Sequence, residues 1–348
     1  MHVNKKNFNH LKVHTQYSIC EGALKIDELA DYCKSKKIKA IGLADSYNLC
    51  GALEFSEKIS KVGTHPIIGT QINLNIPNII GKISLYATSE TGYKNLTKLS
   101  SLSYLKNKEA TDPSCDLKDL TENNKGLIFL TGNYTNFFGK LFYKNKLKDL
   151  EQILNTLKDS FKDRLYIEIQ RHNEFQEKNF ENYLLNISKS LNLPLIATQE
   201  IFYQDESMFE AHDALICIGE KNFVDDKNRF RYNNHHYFKS QEELEKLYSD
   251  LPEALENNYN FHLRFNFKPK NSKPILPSII SKENGSPEEE LTKLAKLGLD
   301  NRLDNFIFKK NKIKSKEQLK EIYKDRLTHE INIINSMNYA SYFLIVSD

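Results

Sequence analysis

Apolar residues recur along the first 200 residues in short runs, and segments with a helical pattern separate those runs. The first two runs span residues 8–13 and 40–44, and between them apolar side chains spaced by three, four and seven residues form one helical face at 26–33. Later runs predict strands at 66–74, 83–87, 126–130, 165–169 and 193–197, and helices at 49–62, 93–102, 147–161 and 175–191. Strand–helix units with continuously apolar strands predict a parallel sheet covered by helices, either a barrel or an open doubly wound sheet.

The pattern changes after Phe202. Helices are predicted at 209–219, 241–249 and 253–263. Pro269, Pro274 and Pro277 then interrupt a polar stretch at 268–285, which is typical of a linker. Further helices are predicted to begin at serine caps, Ser286 and Ser315. We therefore predict a first domain at 1–267, a linker at 268–285 and a short helical segment at 286–348. The chain stops within an apolar run, and we expect the sequence to continue in a longer protein.

The composition limits the possible classes of function. Lys and Arg number 49 against 46 Asp and Glu, so the formal charge of +3 neither demands nor excludes binding to nucleic acid. The five cysteines form no C-x-x-C pair, which argues against a disulfide framework and a cysteine zinc site. The sequence has no run of about 18 apolar residues and no glycine-rich G-x-G-x-x-G or G-x-x-x-x-G-K-[ST] loop. The expected setting is a reducing cytoplasm, without a membrane.

Polar side chains follow the first two predicted strands. His14 and Glu21 come after the first strand, and Asp45 comes directly after the second. Barrels of alternating strands and helices build their sites at the carboxyl ends of the strands, so these residues are candidates for a site. The alternative is that they only cap the strand ends.

The segment at 229–238 mixes arginine, aromatic and histidine residues. Such a mixture can bind nucleic acid, because aromatic rings stack on bases and arginine holds phosphate. The alternative is a loop that packs its aromatic side chains onto the barrel. We favour the loop, because no recognisable single-strand-binding fold surrounds the segment.

Residues 8–22 fit the pattern F-x-H-L-x-V-H-[ST]-x-Y-S-x-x-[DE]-G, and further motifs follow in order. These motifs are Pro66–Gly69, Glu90–Leu96, Glu168–His172, Leu195–Thr198, Ala211–Leu215 and Tyr342–Asp348. Together they resemble the PHP (polymerase and histidinol phosphatase) domain and the start of the palm region in the DNA polymerase III α family of bacterial replicative polymerases. The resemblance implies a distorted (β/α)7-type PHP barrel followed by a short helical segment. It implies a full-length protein that copies DNA with Mg²⁺ and works with a proofreading exonuclease and other holoenzyme subunits. The catalytic residues of polymerisation would lie outside this chain.

The PHP resemblance also implies nine positions that hold a metal cluster. Four of them keep a good ligand here, namely His14, Glu21, Asp45 and Glu200, and five are substituted, namely Lys12, Ser46, Gln71, Lys82 and Phe202. Zinc normally takes about four well-placed ligands, and an ammonium group repels a divalent cation. We therefore expect no bound metal and a domain that is structural or docks a partner. Two alternatives stay open: one weakly bound ion on the remaining four ligands, and a metal-dependent PHP phosphoesterase or 3′–5′ exonuclease.

The two lysines suggest what replaced the metal. Loss of metal leaves Glu21, Asp45 and Glu200 as like charges at the barrel mouth, which is costly. We hypothesise that one or both ammonium groups, of Lys12 and Lys82, lie among these carboxylates. The alternative is that both lysines point into solvent.

Overall fold

Nine strands form one sheet in the computed structural model, which describes residues 7–106, 112–272, 285–310 and 315–347. The strands are β1 (His10–Val13), β2 (Ala40–Leu43), β3 (His65–Ile76), β4 (Ile79–Ala87), β5 (Ser114–Cys115), β6 (Leu127–Leu130), β7 (Leu165–Gln170), β8 (Leu195–Thr198) and β9 (Glu200–Ile201). The order is β8-β7-β6-β4-β3-β2-β1-β9, with β5 beside β3. Only Gln199 separates β8 from β9, so the two ends of the sheet are consecutive in the chain. The sheet therefore forms a nearly closed barrel.

The sheet is mixed, so the parallel arrangement predicted from the apolar runs is wrong for β4. Strand β4 is antiparallel to both β3 and β6, and the remaining pairs are parallel. The cause is a two-residue hairpin loop at Pro77 and Asn78, where Asn78 has a φ of +67°. Proline followed by a residue with positive φ suits a type II turn. A connection this short joins only antiparallel strands.

Ten α-helices lie within 7–106 and 112–272, the described ranges that also contain the barrel. They are α1 (Ile26–Lys36), α2 (Ala52–Lys61), α3 (Glu90–Leu105), α4 (Leu117–Glu122), α5 (Phe137–Tyr143), α6 (Leu147–Phe161), α7 (Glu177–Leu191), α8 (Phe209–Glu220), α9 (Gln241–Leu247) and α10 (Pro252–Phe261). The short elements α4, α5, β5 and β9 were not predicted from the sequence. No helix in the described ranges is long and apolar enough to cross a membrane.

Alternation along β6 and β7 divides their side chains between two faces. Phe129 and Ile167 belong to a large apolar core with residues of α6 and α7. Ile128 and Tyr166, at the alternate positions, belong to a second apolar core that includes Phe261 of α10. The second face of β7 continues with Glu168 and Gln170, both buried. This face therefore turns from apolar to polar towards the carboxyl end of the strand.

The chain divides into two compact units, one within residues 1–271 and one within 272–348. The second unit contains α11 (Pro287–Arg302), a π-helical turn (Leu303–Ile307), α12 (Phe308–Lys310), α13 (Lys316–Ser336) and α14 (Ala340–Ser347). The side chains of Ser286 and Ser315 cap α11 and α13. Of the predicted linker, residues 273–284 lie outside the described residues, including Pro274 and Pro277. The carbonyl of Pro269 accepts a hydrogen bond from Ser56 of α2.

Candidate functional site at the barrel mouth

All nine positions of the PHP metal pattern lie in one connected group. Most follow the carboxyl ends of parallel strands, which meet at one end of a barrel. Lys82 is near the start of β4, and because β4 is antiparallel its first half lies at that same end. Hydrogen bonds and ion pairs join Lys12, His14 and Gln71 to Glu200, and join Ser46 and Lys82 to Glu21. Ser18 links Asp45 to both His14 and Ser46. The ring of Phe202 lies 4.6 Å from the ring of His14, centre to centre.

Lys12 is buried between two carboxylates. Its Nζ lies 3.5 Å from Glu168 Oε1 and 3.7 Å from Glu200 Oε1, and the lysine side chain is fully inaccessible. Glu200 Oε1 also accepts hydrogen bonds from Gln71 Nε2 at 2.6 Å and from His14 Nε2 at 3.0 Å. Burial acts to raise the pKa of Glu200, but Lys12 and His14 hold it well below its ordinary value. The Glu200 carboxylate is therefore compensated by an ammonium group and two nitrogen donors.

Glu168 belongs to this group although the sequence analysis did not identify it as a site residue. Its carboxylate accepts hydrogen bonds from the backbone N–H of Gly132 and from Gln170 Nε2, both at 2.8 Å, and from Thr198 Oγ1. The sequence did contain a signal. Leu165, Ile167 and Ile169 alternate with Tyr166, Glu168 and Gln170, and a carboxylate within such a strand requires a buried partner.

Lys82 forms the second ammonium site, nearer to solvent. It makes an ion pair with Glu21, donates to Ser46 Oγ at 2.9 Å and lies over the Tyr47 ring. Ser46 Oγ in turn donates to Glu21. Burial lowers the pKa of Lys82, but Glu21 reverses this effect and the pKa is raised. Burial likewise raises the pKa of Glu21, and Lys82 with His14 brings it below its ordinary value.

Asp45 is held by hydroxyl and amide donors instead. Its carboxylate accepts bonds from the Thr15 N–H at 2.6 Å, from Thr15 Oγ1 at 2.7 Å and from Ser18 Oγ at 2.7 Å. Burial raises the pKa of Asp45 despite these hydrogen bonds. The lysines thus contact Glu21, Glu168 and Glu200, whereas the hypothesis from sequence placed them among Glu21, Asp45 and Glu200. The alternative that both lysines point into solvent is wrong.

The loop at 229–238 packs against this end of the barrel. The rings of Tyr232 and His236 lie 4.7 and 5.3 Å from the ring of Phe202. His236 also stacks on His172 with ring centres 4.1 Å apart, and burial lowers the pKa of His172 to about 3. The loop's arginines bind nearby acids: Arg229 binds Asp213, and Arg231 binds Asp213 and Glu210. Its arginines and most of its aromatic side chains are therefore used within the fold, whereas Phe230 is 53% exposed.

The residues present do not fit the metal cluster that the PHP pattern implies. Ammonium groups lie beside Glu21 and Glu200, and a phenyl ring lies beside His14. Glu200 Oε1 already has three nitrogen neighbours. Among the described residues, no group of three or more His, Cys, Asp or Glu side chains is placed to hold a metal ion.

Comparison with known proteins gives matches along nearly the whole chain. The PHP domain family matches residues 10–172, and the family described as "Bacterial DNA polymerase III alpha NTPase domain" matches residues 289–348. DNA polymerase III subunit alpha of Rickettsia bellii is 38% identical over 98% of this chain and 29% of its own length. The proteins of that name from Caulobacter vibrioides and Pasteurella multocida are 35% and 30% identical over 99% of this chain and 30% of their own lengths. The chain therefore spans less than a third of these relatives.

Solved structures give a weaker likeness. An amidohydrolase from Chromobacterium violaceum is 10% identical, covers 56% of this chain and 87% of that chain, and has a TM-score of 0.38. A structural similarity at this level is too weak to indicate a function.

Proposed function

We propose that this chain, which belongs to the bacterial DNA polymerase III α subunit family and carries its PHP domain, forms the amino-terminal portion of a replicative DNA polymerase. The observation that supports this proposal is the match to proteins of that name over 98–99% of the chain at 30–38% identity. The full-length protein would copy DNA with Mg²⁺ in the cytoplasm. Its partners would be DNA, a proofreading exonuclease and other holoenzyme subunits.

Primer extension tests the proposal. The family's glycine-rich G-R-G-S segment, which precedes the metal-binding acidic residues of the palm, does not occur in these 348 residues. Two-metal nucleotidyl transfer requires those acidic residues. We expect the product of the complete gene to elongate a primed template with Mg²⁺, and the 348-residue chain to add no nucleotide. A complete gene without G-R-G-S and paired aspartates, or elongation by the 348-residue chain, would contradict the proposal.

We infer that the PHP barrel is catalytically silent. Phosphoester hydrolysis at this PHP site near neutral pH would need a metal to generate hydroxide, and the lysine ammonium groups stand beside the carboxylates that would hold the metal. The competing function is a PHP phosphoesterase or 3′–5′ exonuclease, which the direct contact between His14 and Glu200 favours. We expect no hydrolysis of a phosphodiester or of a 3′-labelled oligonucleotide with Zn²⁺, Mn²⁺ or Mg²⁺. Hydrolysis that His14→Ala abolishes would establish the competing function.

The remaining role we propose for the barrel is to dock a partner, the proofreading exonuclease. A silent barrel of this size can still present a rigid surface to a partner. The test is co-elution of the 348-residue chain with the purified exonuclease of the same organism in size-exclusion chromatography. We expect one complex with each protein in equal amount. Separate elution at concentrations well above those in the cell would rule this role out.

A further inference from the structure

Seven lysines gather where β2 and β3 begin, at the barrel end opposite the mouth. They come from three segments and are Lys34, Lys36, Lys37, Lys39, Lys61, Lys268 and Lys270. We call this group the basic edge.

Backbone and side-chain contacts bring the three segments together. Thr64 Oγ1 donates to the carbonyl of Ile38 at 2.8 Å, and the N–H of His65 donates to the carbonyl of Lys39 at 2.8 Å. Lys268 Nζ donates to Ser60 Oγ at 2.8 Å, which places the third segment beside the end of α2. The lysines distant in sequence therefore share one surface of the first unit.

The positive charge of the basic edge is largely uncompensated. All seven side chains are exposed, and Lys34, Lys36, Lys37 and Lys61 have no carboxylate within ion-pair distance among the described residues. The ion pairs of α1 and α2 instead use Lys25 and Lys58. The whole chain carries only +3, so these lysines are a local concentration of positive charge. So many ammonium groups on one surface produce a strong local potential.

We propose that the basic edge binds the sugar–phosphate backbone of duplex DNA. Ammonium groups are point charges that contact phosphate and release its counterions, independently of base sequence. None of the large apolar side chains that are exposed in the described chain belongs to 34–39, 60–65 or 268–270. The basic edge thus has no aromatic platform for unstacked bases and no apolar anchor for a membrane. This chemistry favours a duplex, and the inference stands whether or not the protein polymerises DNA.

Fluorescence anisotropy with a short labelled duplex, measured at several salt concentrations, tests the proposal on the 348-residue chain. The test variant is K34A/K36A/K37A/K61A. The matched control is K125A/K148A/K178A/K189A, which removes the same charge from exposed lysines elsewhere in the first unit. We expect the test variant to bind about tenfold more weakly or worse, and its slope of log affinity against log salt to fall by about 3–4. The control should stay within about twofold of the parent, since its lysines contact no phosphate.

A third variant separates charge from folding. K34R/K36R/K37R/K61R keeps every positive charge and should keep the parent's affinity, and all variants should unfold at the parent's urea midpoint. The proposal fails if the parent does not bind duplex, if test and control variants lose affinity equally, or if arginine does not preserve binding. Tighter binding to single-stranded DNA, to polyglutamate or to anionic vesicles would also overturn it. Primer extension by the complete gene product remains a separate result.

Discussion

Lys12 places a positive charge at full burial within 4 Å of two carboxylates, one in β7 and one in β9. These strands lie at opposite ends of the sheet order, because β9 follows β1 and β7 lies beside β8. The ammonium group thus spans the seam where the barrel closes. A metal ion would supply the same charge compensation from outside the chain, whereas here a side chain supplies it.

Replacing Lys12 with methionine should lower the free energy of unfolding by about 3–5 kcal/mol, because Glu168 and Glu200 would remain buried without their cation. Urea unfolding measures this change in free energy. Far-UV circular dichroism is a suitable signal, because the chain has no tryptophan. The double variant Lys12→Met/Glu200→Gln should recover part of the loss. A loss below about 0.5 kcal/mol, the range of surface substitutions, would show that Lys12 is not the compensating charge.

Lys82→Met should cost less, about 1–3 kcal/mol. Its ion pair with Glu21 is partly open to solvent, with side chains 20% and 16% exposed, and water screens the lost interaction. Lys125→Met, at an exposed position, is the matched control and should change stability by no more than about 0.5 kcal/mol. Equal losses for Lys82→Met and Lys12→Met would contradict the difference in burial.

Acid should destabilise the fold through buried histidines. Burial lowers the pKa of both His10 and His172 from 6.5 to about 3. The unfolded chain therefore takes up protons as the pH falls through 6.5 while the folded chain does not. Their contribution to stability is complete above pH 6.5 and is lost between 6.5 and about 3, at up to about 1.4 kcal/mol per pH unit for each histidine. As the pH is lowered from neutral to about 5, the urea concentration at the unfolding midpoint should fall in the parent. It should fall less steeply in His10→Leu.

At the scale of the elements, the reversal of β4 determines how the mouth is built. In a purely parallel barrel only the carboxyl ends of strands reach the mouth. Strand β4 reaches it with its first half, and the pairing of Asn73 with Lys82 places the lysine there. The hairpin at Pro77 and Asn78 is thus what brings Lys82 to Glu21.

Close packing of β1 on β2 gives a test of the sheet itself. A Cβ added at Gly42 would lie 2.4 Å from the carbonyl oxygen of Leu11 and 2.8 Å from its Cα. Backbone cannot yield as a flexible side chain does, so Gly42→Ala should cost about 1–3 kcal/mol or more. Gly298→Ala is the matched control: nothing lies within 4 Å and the site is inside α11, so stability should rise by about 0.5–1 kcal/mol. Thermal unfolding should show a lower melting temperature for Gly42→Ala and a higher one for Gly298→Ala. An unchanged melting temperature for Gly42→Ala would contradict the close packing of β1 on β2.

The sequence was informative where a local pattern has one physical cause. Apolar periodicity located α6 over Leu147–Phe161, and a serine with a glutamate three residues later located the start of α11. The relative direction of β3 and β4 could not be predicted in this way, because an apolar run has the same pattern in a parallel and in an antiparallel strand. Of the two partners of Lys12, Glu200 was among the carboxylates that the hypothesis from sequence named, and Glu168 was missed. Strand β7 lies more than 150 residues away in the chain, and only the closed barrel brings Glu168 near.

At the scale of the whole molecule, the first unit has its own apolar cores. All residues of the three buried clusters lie between Phe8 and Phe265. We therefore expect residues 1–271 expressed alone to fold and to unfold in one cooperative transition by circular dichroism. A non-cooperative transition, or a spectrum without helix and strand, would show that the second unit is needed for folding.

Metal should leave the stability of the whole chain unchanged. A ligand that binds only the folded state raises its stability in proportion to the logarithm of ligand concentration. With ammonium groups at Glu21 and Glu200, we expect the melting temperature to stay the same with Zn²⁺, Mn²⁺ or Mg²⁺ and with a chelator. The variant Lys12→His/Lys82→His is the comparison, because only it offers imidazole at both positions. A rise in the parent's melting temperature with any of these ions would reveal a retained metal site.

The pairing of β9 with β1 limits how early the barrel can form. Val13 pairs with Ile201, about 190 residues later, while β2 and β3 follow β1 closely. A ribosome adds roughly 5–20 residues per second, so roughly 10–40 s pass between the emergence of these two strands. During that interval Lys12 has neither Glu168 nor Glu200 beside it for most of the time, and one edge of β1 stays open to any other extended chain. Until β9 has been made, the nascent chain is therefore open to mispairing along this edge of β1.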